Sequence, residues 1–341
     1  MEIFKTTPVA KTNLQLPQMG FGGASLGDMR EIIPETQASA TIEAAYQAGI
    51  SYFDTSPWYG NGKSELRFGH VLRTKPRNSF VVSTKVGRIH QRPENPDTYT
   101  HPAWKGGLPF EPRFDYTGTA ILKSYEMSLA RLGLNRVEAL LIHDLDPGHQ
   151  KDQIGVANGF RQLDDSGLDT LIELKKSGEI AAIGAGINVV GMIPQFLKHC
   201  EIDFFLVAMP YTLMDQSALA ELDACAERGI SVVIGAPFAS GILARGPSPN
   251  ASYGYRRATP EVLAKANKLN SIAKSFRTEV GAMALQFPLA HPAVTCVIPG
   301  PVTEEEVKNN LRWGEMNIPT EVWQTLKSEN LVAEAAPVPI N

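Results

Sequence analysis

The chain has 341 residues, 43% of them hydrophobic and 20% charged, so it can bury a sizeable core and is not globally disordered. A formal net charge of -4 and the lack of a basic stripe speak against nucleic acid as a partner. No apolar run approaches the roughly 18 residues that mark a spanning helix, which speaks against a membrane partner.

The N-terminal "MEIFKTTPVAKTN" lacks the apolar core of a signal peptide. Cys200, Cys225 and Cys296 show no C-x-x-C spacing and fit buried thiols in a reducing, cytoplasmic setting.

In chain order, short β-rich runs alternate with amphipathic segments. A strand is expected at 18–23 and a helix at 36–48. Strand 50–54, "ISYFD", ends on Asp54; Tyr59 follows one loop later, then a helix at 63–72. Strand 79–85 ends on Lys85, and a long connection, 86–114, leads to a helix at 117–132. Strand 137–143 ends on His143, and a second long connection, 144–159, precedes a helix at 165–177. Strands at 180–186, 203–209, 230–236 and 294–300 follow. Helices are expected at 191–199, 217–228, 259–290 (broken in two) and 303–312, and a last one at 319–334 carries Trp323.

Eight β-α units predict an α/β fold, a (β/α)8 TIM barrel spanning 1–341 as one domain, with long loops at the C-terminal face and an extra C-terminal helix. A doubly wound sheet would need a phosphate fingerprint between a strand and a helix. "GFGGASLG" (20–27) has Ser25 at the last small position, and the first helix begins only at Thr36, so this alternative is rejected.

In a parallel barrel the C-terminal strand ends converge on one rim. Asp54, Lys85 and His143 stand at such ends, with Tyr59 on the loop above. A tyrosine exchanges protons poorly at neutral pH. An ammonium about 4 Å away, at an effective dielectric of about 20, favours the phenolate by up to about 4 kcal/mol. Asp54 keeps Lys85 charged, Lys85 tunes Tyr59, Tyr59 exchanges the proton, and His143 directs the reacting oxygen. This set moves a proton but accepts no electrons, so a redox cofactor must complete it.

These residues sit in "FDTSPWYG", "VVSTK", "LLIHDLD", "AAIGAGIN" and "CVIPGPVTEEEVKNNL", which run in order across almost the whole chain. The sequence strongly resembles the aldo-keto reductases. The resemblance implies a barrel that binds an extended nicotinamide cofactor, and a catalytic tetrad of Asp54, Tyr59, Lys85 and His143. It implies cofactor contacts from Gly22, Gly235, Phe238, Gly241, Leu243, Pro299, Gly300, Glu305, Glu306, Asn309 and Asn310. The usual Ser-Asn pair after the fifth strand is replaced by Gly186-Ile187, so Asn188 is expected to substitute. Ala208 and Gly235 replace a glutamine and an aromatic, leaving Tyr211 or Phe238 to rebuild the nicotinamide platform.

NADP-preferring members carry basic residues near the adenosine 2′-phosphate; here Gly300 and Glu306 stand there. A carboxylate repels a phosphate and accepts from a free ribose hydroxyl, so NAD is expected to be preferred, with NADP possible through Lys308. Within the family the pattern is most similar to the aldose 1-dehydrogenases, which oxidise a cyclic hemiacetal to a lactone, faster at alkaline pH. The substrate implied is a small sugar of the L-fucose, L-galactose or D-arabinose type, or an aldehyde such as pyridoxal; no oligomeric state is implied. A nicotinamide-binding regulatory subunit without turnover is the reading from a different class.

Trp58 and Trp104 are expected to face the substrate, because aromatic faces suit the apolar faces of sugars, and Asp144 to meet its hydroxyls. "HDLDPGH" (143–149) clusters His and Asp, yet a barrel metal site draws further ligands from other strands. No histidine stands on strands five to seven, and no metal is expected.

Overall fold

The computed structural model describes residues 2–29, 31–101, 103–254 and 256–340. The chain enters through an antiparallel hairpin, β1 (Thr6–Pro8) and β2 (Gln15–Pro17). Then come β3 (Phe21–Gly22), β4 (Tyr52–Asp54) and β5 (Val81–Val86), followed by a hairpin of β6 (Arg88–Gln91) and β7 (Glu111–Phe114). The next strands are β8 (Ala139–His143), β9 (Ala182–Ile187), β10 (Phe204–Ala208) and β11 (Ser231–Gly235). A small hairpin, β12 (Ser252–Tyr253) and β13 (Arg256–Arg257), precedes β14 (Val294–Ile298).

Eight of these strands form one parallel sheet in the order β3-β4-β5-β8-β9-β10-β11-β14. The ring closes where Met19 pairs with Val297 and Gly20 N–H donates to the Val297 carbonyl at 2.9 Å. The fold is a (β/α)8 barrel.

Both faces of the strands are apolar, as a covered parallel sheet requires. In β8, Leu140 and Ile142 join the cluster under the helices, and Leu141 points inward. The inner cluster includes Tyr52, Phe204, Leu206, Val233, Cys296 and Ile298, and Val9, Leu14 and Leu16 of the entry hairpin pack into it. The hairpin thereby plugs the N-terminal end, leaving the C-terminal end open for chemistry.

The helices are α1 (Glu35–Gln47), α2 (Lys63–Leu72), α3 (Gly118–Leu132), α4 (Gln153–Gln162), α5 (Leu168–Lys176) and α6 (Met192–His199). They continue with α7 (Leu219–Arg228), α8 (Ile242–Arg245), α9 (Pro260–Ser275), α10 (Val280–Gln286), α11 (Glu304–Glu315) and α12 (Thr320–Ser328). Thr117, Asp152, Thr259 and Thr303 cap α3, α4, α9 and α11 by accepting a backbone N–H.

Both long connections contain structure that the sequence reading leaves as loop. The β6–β7 hairpin occupies the edges of 86–114. Helix α4 begins inside 144–159; its two glycines hide it, but Phe160 stacks on His199 and meets Phe196 edge-on, at 4.3 and 5.1 Å between ring centroids. The last helix ends at Ser328 rather than 334. Among the described residues no helix is long and apolar enough to cross a membrane.

Candidate active site

Asp54 ends β4 and Lys85 is the penultimate residue of the neighbouring β5, and their side chains meet inside the barrel mouth. Lys85 Nζ donates to both Asp54 oxygens, at 2.9 and 2.7 Å, and to the Thr55 carbonyl at 2.7 Å. Ser83 Oγ donates to Asp54 Oδ1 at 2.7 Å. Both charged residues are buried. Burial raises the Asp54 pKa above its ordinary value, while Lys85 and Ser83 oppose the rise. Lys85 Nζ lies 4.7 Å from the centre of the Tyr59 ring. His143, from the end of β8, meets that ring edge-on at 5.9 Å. Burial, reinforced by the charges of Lys85 and Arg88 and opposed by Asp144, pushes the His143 pKa far below its ordinary value, so the ring is neutral. The structure thus brings all four expected residues together.

Tyr59 is held by three loops. Buried Asp28, in the loop after β3, accepts from Lys63 Nζ and Arg67 Nη1 of α2, each at 2.7 Å. Its carbonyl accepts from Lys105 N–H at 2.9 Å, and Lys63 reaches the Gly106 carbonyl at 3.0 Å. Gly27, one residue earlier, packs on the Tyr59–Gly60 backbone; a Cβ there would stand 2.5 Å from Gly60 N. Sequence reading misses this knot, because nothing in the spacing of Asp28, Lys63 and Lys105 marks them as neighbours.

Two cavities meet at Tyr59, which lines both together with Ala24, Met29, Leu206 and Ala208. One is a groove of about 310 Å³ that runs from Asp54 past the ends of β11 and β14 toward α11. Gly22, Gly235, Phe238, Gly241, Gly300, Glu306, Asn309 and Asn310 line it, as expected for a cofactor contact. Ser25, Ser240, Arg245 and Trp313 line it as well and are not singled out by the sequence reading. Trp313 meets Phe238 edge-on at 5.5 Å and donates its indole N–H to Glu279 at 2.8 Å.

Other expected contacts lie elsewhere. Tyr211 does not reach the groove: it is buried, stacked on Phe287 at 5.4 Å and edge-on to His291 at 5.5 Å. Leu243 packs into the core beneath α8, and Glu305 is exposed on the outer face of α11. Pro299 contributes its carbonyl, which accepts from Gly22 N–H at 2.8 Å and fixes the groove floor. Asn188 opens on the second cavity instead and donates to Asp144 Oδ1 at 3.0 Å.

That second cavity, about 450 Å³, is walled by Trp58, Trp104, Lys85, His143, Asp144 and His149. Trp58 and Trp104 meet edge-on at 5.5 Å. Arg88 is sandwiched between Trp58 and Phe114, 4.1 and 4.0 Å from the ring centres, and donates to Asp144 Oδ2 at 2.7 Å. Burial penalises the Asp144 carboxylate, but neighbouring positive charge, foremost the Arg88 guanidinium bonded to it, outweighs the penalty and holds the group well below the usual carboxylate range. Donor atoms of Asp144, Asp146 and His149 lie within 4.8 Å of one another. Each carboxylate already accepts N–H donors, from Arg88 and Asn188 or from His149, so the cluster is an internal ion-pair network.

The fold and this polar cluster at the open rim define a TIM-barrel scaffold with an elongated groove feeding a wider pocket. The chain belongs to the Aldo/keto reductase family, whose model matches residues 18–330. It is 33% identical to a pyridoxal 4-dehydrogenase of Microbacterium luteolum and 33% identical to a D-threo-aldose 1-dehydrogenase of a Pseudomonas species, each alignment covering 95% of this chain and 97% of the relative. A solved aldo-keto reductase from Bacillus halodurans in its holo form superposes with a TM-score of 0.75 at 25% identity, covering 98% of both chains. Aldo-keto reductases use nicotinamide cofactors. The groove suits one: it is long, floored by glycines, closed on one side by Trp313 and Phe238, and polar at its far end.

Proposed function

We propose that the protein oxidises the cyclic hemiacetal of an aldose, of the L-fucose, L-galactose or D-arabinose type, to its lactone, in the cytoplasm, with NAD preferred over NADP. The observation that carries this reading is the position of Tyr59, in the wall shared by both cavities, with the Lys85 ammonium over its ring. A nicotinamide dinucleotide held in the groove by Gly22, Gly235, Phe238, Asn309 and Asn310 would supply the hydride acceptor. Tyr59 takes the anomeric hydroxyl proton as the hydride leaves the same carbon, and a carbonyl forms. Lys85, held charged by Asp54, stabilises the anionic phenol before proton uptake. His143 donates to the reacting oxygen and fixes its direction. Trp58 and Trp104 hold the apolar face of the ring, and the strand ends and loops exclude bulk water.

The 33% identity to a pyridoxal 4-dehydrogenase and the two aromatic walls favour pyridoxal as a second substrate reading. The test is turnover by the purified protein with NAD or NADP across an aldose panel and pyridoxal, read as reduced cofactor, with the product identified. Lactone from one aldose class supports the proposal. Tight binding of reduced cofactor with no turnover on any hemiacetal or aldehyde points to a regulatory subunit and overturns it.

A further inference from the structure

Ser56 lies between the loop that carries Tyr59 and the ring of His143, and it is fully buried. Its Oγ accepts from Trp58 N–H at 3.0 Å and stands 3.1 Å from His143 Nδ1. On the other side of the ring, Nε2 is 3.5 Å from Asp144 Oδ1. A neutral imidazole carries one N–H, and its hydrogen bonds decide where.

Suppose the proton sits on Nδ1. Ser56 Oγ then accepts two bonds, and its own proton has no other acceptor among the described residues. The bare lone pair of Nε2 also lies 3.5 Å from a carboxylate oxygen, which is repulsive. With the proton on Nε2 both faults vanish. Ser56 donates to Nδ1 while accepting from Trp58, and the Nε2–H lies near an anion. The 3.5 Å separation is too long for a full hydrogen bond, so that N–H stays available to a third partner.

We propose that Ser56 is a positioning residue: its hydroxyl donates to His143 Nδ1 and fixes the tautomer whose Nε2–H donates to the reacting oxygen of the substrate. The second half of this statement rests on the oxidoreductase reading above; the tautomer does not. Ser56 also ties His143 to the Tyr59 loop through Trp58, so donor and proton acceptor are held in register.

Long-range proton–nitrogen NMR on the wild-type protein with isotopically labelled histidine tests the assignment, with the His143 signals identified by their loss in His143→Gln. The expected result is a pyrrole-like Nε2 and a pyridine-like Nδ1. In Ser56→Ala both tautomers are expected, with kcat about tenfold lower and KM changed much less, the size of effect one hydrogen bond supplies. A wild-type proton on Nδ1, or an unchanged tautomer in Ser56→Ala, overturns the proposal. Should the alanine variant fail to fold, Ser56→Cys, a weak S–H donor, reads the same populations. A protein that oxidises no aldose, yet loses its single tautomer on Ser56→Ala, supports the assignment of Ser56 and removes only the substrate reading.

Discussion

Arg245 and Glu306 form an ion pair in the wall of the groove, with Nη2 3.3 Å from Oε1. Arg245 is the one cation among the described residues that line the groove, and Glu306 partly neutralises it. Lys308, which the sequence offers for a 2′-phosphate, is exposed and lies off the groove. The second Glu306 oxygen accepts from Val302 N–H at 2.8 Å and so braces the start of α11. Glu306→Gln keeps that brace but removes the charge and frees Arg245. The KM for NADP should fall about tenfold, the scale of one charge-assisted hydrogen bond, while that for NAD moves little. An unchanged NAD to NADP ratio would remove this pair from cofactor choice.

Tyr59→Phe keeps the ring between Trp104 and His143 and removes only the hydroxyl. Turnover should drop by about a hundredfold or more, while cofactor affinity, measured by fluorescence titration, stays close to wild type. Retained wild-type rates would refute Tyr59 as the proton carrier.

Lys85→Met leaves the Asp54 carboxylate buried without its cation. Breaking a buried pair in this way costs about 3–5 kcal/mol, so the denaturant midpoint should fall sharply. Lys85→Met paired with Asp54→Asn should recover much of that stability but none of the activity. A double variant no more stable than the single one would show that the pair is not what holds this rim together.

Gly27→Ala forces the loops after β3 and β4 apart, because its Cβ meets backbone atoms of Tyr59 and Gly60 at 2.6 and 2.5 Å. Overpacking of this kind destabilises by about 1–3 kcal/mol. The informative readout is kcat at a temperature where the variant is fully folded: it should fall, since the displaced backbone carries Tyr59. A folded variant with unchanged kcat would mean that the phenol does not depend on this contact.

Glu279 supports the groove through Trp313 and is also paired with Arg312. The hydrogen bond from Arg312, aided by Trp313 and opposed by partial burial, lowers its pKa from 4.5 to about 2. A depressed carboxylate stabilises the fold above its unfolded pKa and loses that contribution as the pH falls through the folded one. The pair is partly exposed and screened, so the contribution is under about 1 kcal/mol. Urea midpoints of wild type and Glu279→Gln should therefore differ near neutral pH and converge between pH 4.5 and 2. A gap that persists at the acid end would argue that the carboxylate's charge is not its source.

Much of the scaffold was legible in the sequence because buried parallel strands are continuous apolar runs, and the residues ending them are polar for a reason. "ISYFD", "VVSTK" and "LLIH" place Asp54, Lys85 and His143 on one rim once the barrel is recognised. Contacts between elements far apart in the chain were not legible. Arg245 and Trp313 reach the groove from α8 and α11, and only the closed ring makes them neighbours. Tyr211 shows the converse: an aromatic after a strand end reads as a platform, yet here apolar packing on Phe287 draws it inward. Helix α4 escapes notice because its glycines dilute its propensity, and tertiary contacts of Phe160 supply what local sequence does not.

Among the described residues the β6–β7 hairpin pairs only with itself, Arg88 opposite Phe114 and Gln91 opposite Glu111. Beyond it, the returning chain is pinned again: Lys105 and Gly106 by the Asp28 knot, Leu108 by the Gly60 carbonyl, and Leu108 and Phe110 by the Asn61 amide. The described residues between Gln91 and Trp104 therefore lie between two independent anchor points. Variation confined to them can reshape the rim of the second cavity, which Ala103 lines, while Asp54, Tyr59, Lys85 and His143 beneath keep their register.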